Sequence, residues 1–396
     1  MMYTLFDGTG HVSLKPLTYT RPVAEIRVGI FSVREKWEKY LGDECKVRTK
    51  DYLTEKYNGN DMAGSLGIAA TVLPNSKLVH AIKKLEINQL LIKDGTVIAI
   101  NELPEANADF DSYLDGFEML EYDDDISFLI NPCDIFSLNG KELEADFNLL
   151  DIHDSKKNLA IGQNNQVIGD DVFVEEGAIV NACILNSSTG PIYIESGAEI
   201  MEGTIIRGPF AALKGSVCKV GTKVYGPTTL GPCSKIGGEV NNCVFQGYSN
   251  KGHDGFLGNS VIGEWCNLGA DTNSSNLKNN YSNIRVWSYS AEGNIDTNLQ
   301  FHGLIMGDHS KCGINTMFNT GTIVGVGANL FGGNFLPKFI PSFSWGGSEI
   351  TETYQFDKAM SVASVVMQRR NLTLTDADKN ILSQVFTDSK KYRSWE

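Results

Sequence analysis

The 396-residue chain is short of basic residues and histidine, has no closely paired cysteines and lacks any long apolar run. Each shortage removes a class of function. Lys and Arg number 34 against 48 Asp and Glu, a net charge of −14, so no nucleic-acid partner is expected, because phosphate backbones require concentrated cations. Small anionic substrates need only a local cluster. None of the eight cysteines forms a C-x-x-C pair, and several fall where a repeat wants a small apolar side chain, which reads as reduced core thiols. No run approaches the roughly 18 apolar residues of a membrane span. The opening Met1-Met2-Tyr3-Thr4 has neither a basic nor an apolar leader region, and the expected compartment is the cytoplasm.

What is abundant is glycine, with 40 residues, and from about residue 160 it comes with aliphatic side chains at every sixth position. The steps are Ile168, Val174, Val180; Ile194, Ile200, Ile206, Ala212, Cys218, Val224, Leu230, Ile236; Ile262, Leu268; and Met306, Cys312, Phe318, Val324, Leu330. A six-residue period with glycine after the inward position (Gly231, Gly237, Gly269, Gly313) predicts a three-sided parallel β-helix, whose coils bury a continuous aliphatic column only when stacked. The phase slips around Asn186–Pro191 and again between Asn241 and Phe256, where extra residues are expected to leave the coil as loops. The polar stretch from Asn273 to Leu304 is expected to project as an arm. After Gly347 the period becomes helical, and Thr375 with Asp378 forms a capping-box signature. Two C-terminal helices covering an open end of the β-helix are expected.

Of the six histidines, His253 stands inside the second phase slip, in Gly247-Tyr248-Ser249-Asn250-Lys251-Gly252-His253-Asp254-Gly255-Phe256-Leu257-Gly258. This segment, with Asn267-Leu268-Gly269-Ala270 after it, resembles the active-site region of hexapeptide-repeat acyltransferases. It is most similar to the bifunctional glucosamine-1-phosphate acetyltransferase/N-acetylglucosamine-1-phosphate uridylyltransferase family. The resemblance implies a left-handed β-helix and a homotrimer with active sites between neighbouring subunits. It makes His253 the general base, the Ala270 N–H an oxyanion donor, and Asn267 and Asn276 substrate contacts. An imidazole suits the task, since an ammonium must lose its proton before it can attack an acyl carbon.

The segment departs from the family at Phe256, where a tyrosine is usual, at Leu277, and at Asn241-Asn242, where a basic pair would hold a sugar phosphate. Arg207, Lys223 and Lys251 are the candidate replacements, and Lys278 and Lys311 the candidate contacts to the phosphates of acetyl-CoA. His302 and His309, seven residues apart, do not match the shorter histidine pair of β-helix carbonic anhydrases, and no metal ligand is assigned in this half.

Residues 1–155 mix helix and strand signals and are expected to form an α/β domain, followed by the β-helix over 156–347 and a helical segment over 348–396. Leu5-Phe6-Asp7-Gly8-Thr9-Gly10 with Leu14-Lys15-Pro16-Leu17-Thr18-Tyr19-Thr20-Arg21-Pro22 resembles the sugar-1-phosphate nucleotidyltransferase signature. The resemblance implies NTP phosphates cradled by Gly8, Gly10 and Arg21, with Asp134 as the carboxylate for Mg2+. Ser13 and Val23 replace the family's Arg and Lys. The leading expectation is an acetyl-CoA-dependent N-acetyltransferase of an amino-sugar phosphate or nucleotide-linked amino sugar. The alternatives are a nucleotidyltransferase that uses its β-helix to trimerise, or a non-catalytic sugar-nucleotide-binding protein.

Overall fold

The computed structural model describes residues 2–57, 63–105, 110–150, 161–162 and 164–396. The expected first domain boundary, at 155/156, lies outside the described residues. The N-terminal unit is a six-stranded sheet whose first strand, Tyr3–Phe6, pairs in parallel with Cys45–Arg48 and Leu66–Ala69. Its longest helix, Pro132–Leu149, begins with proline inside a capping box formed by Asn131 and Asp134.

Most of the strands from residue 166 on form a three-sided parallel β-solenoid, and along its third face nine strands stack in parallel from Ile179–Val180 to Ser344–Gly346. Every aliphatic position of the six-residue series is buried except Ile168, which is 40% exposed. There the register sets Val167, itself 41% exposed on the first strand of the stack, in line with buried Leu185, so the first corner holds one residue more than the period implies.

The two phase slips have opposite causes. At Ser187–Gly190 extra residues do leave the coil, and Leu185 meets Ile206 twenty-one residues on. In the second slip nothing leaves. Ile236 pairs with Lys251 after only fifteen residues, because the strand Glu239–Gly247 crosses the first and second faces without a loop, bending at Asn242 (φ 53°). The expected loop is a tightened coil, and His253 sits on a corner of the scaffold itself.

The second face is buried on both sides. Its outward residues Phe173, Tyr193, Val244, Val261, Ile305 and Ile323 pack against the N-terminal unit, the inserted segment and the C-terminal helices. Covering so many apolar side chains supplies a large hydrophobic term, on the order of 1.5–3 kcal/mol for each fully buried one. The inserted segment does not project as expected. Its hairpin, Arg285–Ser288 with Gly293–Asp296, lies down on this face, burying Ile284, Val286 and Tyr289, with Tyr289 edge-on to Tyr19.

The helices Phe356–Gln368 and Asp376–Asp388 form as expected, and the Thr375–Asp378 capping box is present. They do not close an end of the solenoid. They run back along its side, over the corner that carries Trp265 and His309, and Asp378 there pairs with Lys56 of the N-terminal unit at 2.9 Å.

Candidate active site

His253 lies on the corner between the third and first faces, opposite the covered second face. The corner Gly252–Gly255 is narrow because coils touch there. A Cβ on Gly255 (φ 108°) would lie 2.2 Å from the Thr272 carbonyl oxygen, and one on Gly237 2.7 Å from that of Gly252. The His253 side chain is exposed and makes no hydrogen bond among the described residues. Asn250 pairs with Asn267, and the Asp271 N–H donates to the Asp254 carbonyl at 3.1 Å, which sets Ala270 one coil along from His253. Adjacent coils are about 4.8 Å apart. Among the described residues the Ala270 N–H has no backbone acceptor, while its carbonyl accepts from Asn315 at 2.8 Å. An unengaged donor one coil from an exposed imidazole is the arrangement an oxyanion needs.

Asn267 accepts from the Asn250 side chain at 3.0 Å and stands at the edge of a cavity of about 510 Å3. Lys235, Lys311, Arg369 and Arg370 line this cavity, together with Tyr248 and Trp265, whose rings stack at 4.3 Å. Among the described residues no carboxylate lines it, although the chain carries a large negative charge. Burial, and next the nearby Arg370, lower the Lys235 pKa, and burial lowers that of Lys311. Such a set of cations suits several phosphate charges. Sequence reasoning found Lys311 and missed the rest. The adjacent pair Arg369-Arg370 at the end of a helical pattern was the available signal.

The other assigned residues scatter. Arg207 and Lys223 are exposed on the first face; the Lys223 column continues through Glu239 to Phe256, next to the His253 corner. Asn276 is at the far end of that face, donating to Asn259 Oδ1 at 2.8 Å. Lys278 is at the foot of the inserted segment and donates to the Asn283 carbonyl at 2.6 Å, apart from the cationic cavity. Lys251 is corrected most sharply. It does not face substrate but points into the solenoid, fully buried.

Neither His302 nor His309 is exposed. His302 packs edge-on against Phe136, and His309 is parallel to Trp265. Burial pushes their pKa values down to about 4 and about 3.

In the N-terminal unit, Gly8 (φ 51°) lines a cavity of about 760 Å3 with Asp7, Arg48, Lys50, Asp51 and Tyr52, closed on one side by Gln384 and Asp388 of the last helix. Gly10 is buried, and a Cβ there would meet Thr71 at 2.3 Å. Arg21 is not available to a nucleotide. It is buried, ion-paired with Asp308 and, at 3.2 Å, with Glu264, both on the solenoid. Asp134 is likewise committed, accepting the Ile130 and Asn131 N–H groups at 2.7 Å as a helix cap. Burial raises its pKa against the lowering effect of those bonds. Bound to its own helix cap, Asp134 does not fit the expected Mg2+ role, and among the described residues no three His, Cys, Asp or Glu side chains are grouped as metal ligands.

These features define a composite architecture, an α/β unit joined to a hexapeptide β-solenoid with an exposed corner histidine. Residues 3–154 match the family described as sugar nucleotidyl transferase. The chain is similar to the bifunctional sugar-1-phosphate nucleotidylyltransferase/acetyltransferase of Sulfurisphaera tokodaii, 28% identical over 57% of this chain and 56% of that protein. It is also similar to the bifunctional protein GlmU of Methanocaldococcus jannaschii, 28% identical over 41% of this chain and 35% of that protein. The chain thus spans about half or less of the length of these relatives.

Among solved structures, the polySia specific acetyltransferase NeuO aligns over 52% of this chain and 100% of its own, at 12% identity and a TM-score of 0.30. An N-acyltransferase of Bacillus cereus, AntD, solved with dTDP and coenzyme A, aligns over 51% of this chain and 91% of its own, at 10% identity and a TM-score of 0.23. No described helix is long and apolar enough to cross a membrane.

Proposed function

We propose that the His253 corner transfers an acetyl group from acetyl-CoA to the amine of an amino-sugar phosphate or a nucleotide-linked amino sugar. The observation that carries this reading is the exposed His253 one coil from the unengaged Ala270 N–H, with a cavity rich in cations on the adjoining third face, lined by Asn250 and Asn267. The imidazole takes a proton from the attacking nitrogen as the C–N bond forms, and the Ala270 N–H donates to the oxygen that becomes negative. Collapse of the tetrahedral intermediate breaks the C–S bond, and the imidazolium returns its proton to the departing thiolate.

Asn267 orients the acyl carbonyl or a sugar hydroxyl. Lys235, Lys311, Arg369 and Arg370 hold the phosphates of the acyl donor, while Lys223 and Arg207 on the first face hold those of the acceptor. The protein assembles as a trimer through the faces that flank His253, where Ile205 and Tyr225 are 46% and 38% exposed. Incubation with acetyl-CoA and a panel of amino-sugar phosphates and nucleotide-linked amino sugars tests the reading by mass spectrometry. It predicts one N-acetylated product with stoichiometric CoA release; thioester hydrolysis without an acetylated amine in any member of the panel overturns it.

A second reading, sugar-1-phosphate nucleotidyl transfer, is favoured by the cavity behind Gly8. Asp134, committed to its helix cap, is not the carboxylate of this reading. Pyrophosphate release from UTP or dTTP with a sugar 1-phosphate tests it, and none with any divalent ion rejects it.

A further inference from the structure

The inward column of the third face is aliphatic or thiol on both sides of one position. Ile200, Cys218 and Ile236 precede it, Leu268, Cys312 and Leu330 follow it, and between them stands Lys251, 1% exposed. An ammonium in such a column is costly unless its protons are all received. Here they are. Nζ donates to the Gly237 carbonyl at 3.0 Å, to that of His253 at 2.8 Å and to that of Asp254 at 3.3 Å. Two of these acceptors belong to the corner that carries the imidazole, and the third to the coil before it. Neighbouring coils close the same column without any charge, so packing alone does not call for a lysine there.

We propose that Lys251 is a positioning residue for His253: from inside the solenoid its ammonium ties the corner's carbonyls together and fixes the direction in which the imidazole leaves the scaffold. This rests on the reading of His253 as the base. Burial pushes the Lys251 pKa down to about 8. The groups that face it are Asp254 on its own corner, Asp271 on the next, and the thiols of Cys243 and Cys312 on the neighbouring strands, all of which favour the ammonium. A neutral amine has only two protons for three carbonyls. The corner therefore loosens above pH about 8, within the range where activity is measured.

Stability moves the other way. The folded-state pKa lies below the unfolded one, so the unfolded chain binds more protons between about 8 and the ordinary lysine value of 10.5, and this group's contribution to stability grows with pH across that window.

The test measures kcat and KM for acetyl transfer from pH about 6 to about 10 in the wild type, Lys251→Met, Lys251→Gln and His253→Ala, with the His253 imidazole proton signals recorded by NMR. Lys251→Met is expected to lower kcat about tenfold or more with little change in KM, and to multiply or broaden the imidazole signals. The wild-type to Met ratio of kcat then shrinks above pH about 8. Lys251→Gln, which donates without titrating, recovers part of the rate and shows no such pH dependence, and it stands in if the Met variant fails to fold. Wild-type kcat and unchanged imidazole signals in Lys251→Met, or in Lys251→Gln where it stands in, overturn the positioning role; with His253→Ala inactive, the base assignment survives. Activity retained in His253→Ala overturns the base assignment instead, and the imidazole signals alone then decide whether Lys251 orders the corner.

Discussion

Buried charge serves two different ends in this molecule, and single substitutions separate them. Asp308 accepts from Thr20 at 2.7 Å, from the Glu264 N–H at 2.8 Å and from Arg21, so one carboxylate ties the N-terminal unit to the solenoid. Asp308→Ala leaves the Arg21 guanidinium buried beside Glu264 alone. The expected cost is about 3 kcal/mol, read as a lower urea midpoint at constant m-value. A loss under about 0.5 kcal/mol would class the contact with exposed ion pairs.

His302 and His309 supply a pH signature. Their folded-state pKa values, about 4 and about 3, lie below the ordinary histidine value of 6.5, so the unfolded chain binds more protons in between. Their contribution is complete above pH about 6.5 and is lost as pH falls toward 4. Melting temperatures of wild type and His309→Gln should converge on acidification through that window. Parallel curves would show that His309 does not titrate there.

Among elements, the helix Phe356–Gln368 matters most to the site, because the two arginines that follow it complete the cationic cavity. Arg369→Glu with Arg370→Glu is expected to raise KM for acetyl-CoA about tenfold while kcat stays within about twofold, the mark of lost ground-state binding. An unchanged KM would remove the cavity from the donor site.

Much of this architecture is legible in the sequence. The six-residue period places nearly every inward side chain, because inward positions tolerate only compact apolar groups. It fails where the backbone tightens. Fifteen residues between Ile236 and Lys251 shift the phase, and a lysine that reads as a surface contact arrives in the core. Arg21 and Asp134 failed for a related reason. A motif names side chains, but their partners, Asp308 in one case and the helix cap in the other, are fixed by docking and local capping. The outward residues of the second face did carry a signal. Phe173, Tyr193, Val244 and Val261 are too apolar for a solvated face.

As a whole, the molecule is a prism with one face sealed and two open. Sealing the second face makes the N-terminal unit part of the solenoid's stability, whatever its own chemistry. A chain beginning after residue 150 would uncover Phe173, Tyr193, Val244 and Val261, and it is expected to aggregate, as light scattering would show. A well-dispersed truncated protein would mean that the cover is dispensable. The same arrangement leaves the corner opposite, with His253, exposed.

The most direct measurement is the kcat for acetyl transfer from acetyl-CoA to the best amino-sugar acceptor, in wild type and in His253→Ala, with equal melting temperatures confirmed for both. Removal of the general base predicts a loss of about a hundredfold or more. A folded His253→Ala protein that turns over at the wild-type rate would contradict the account.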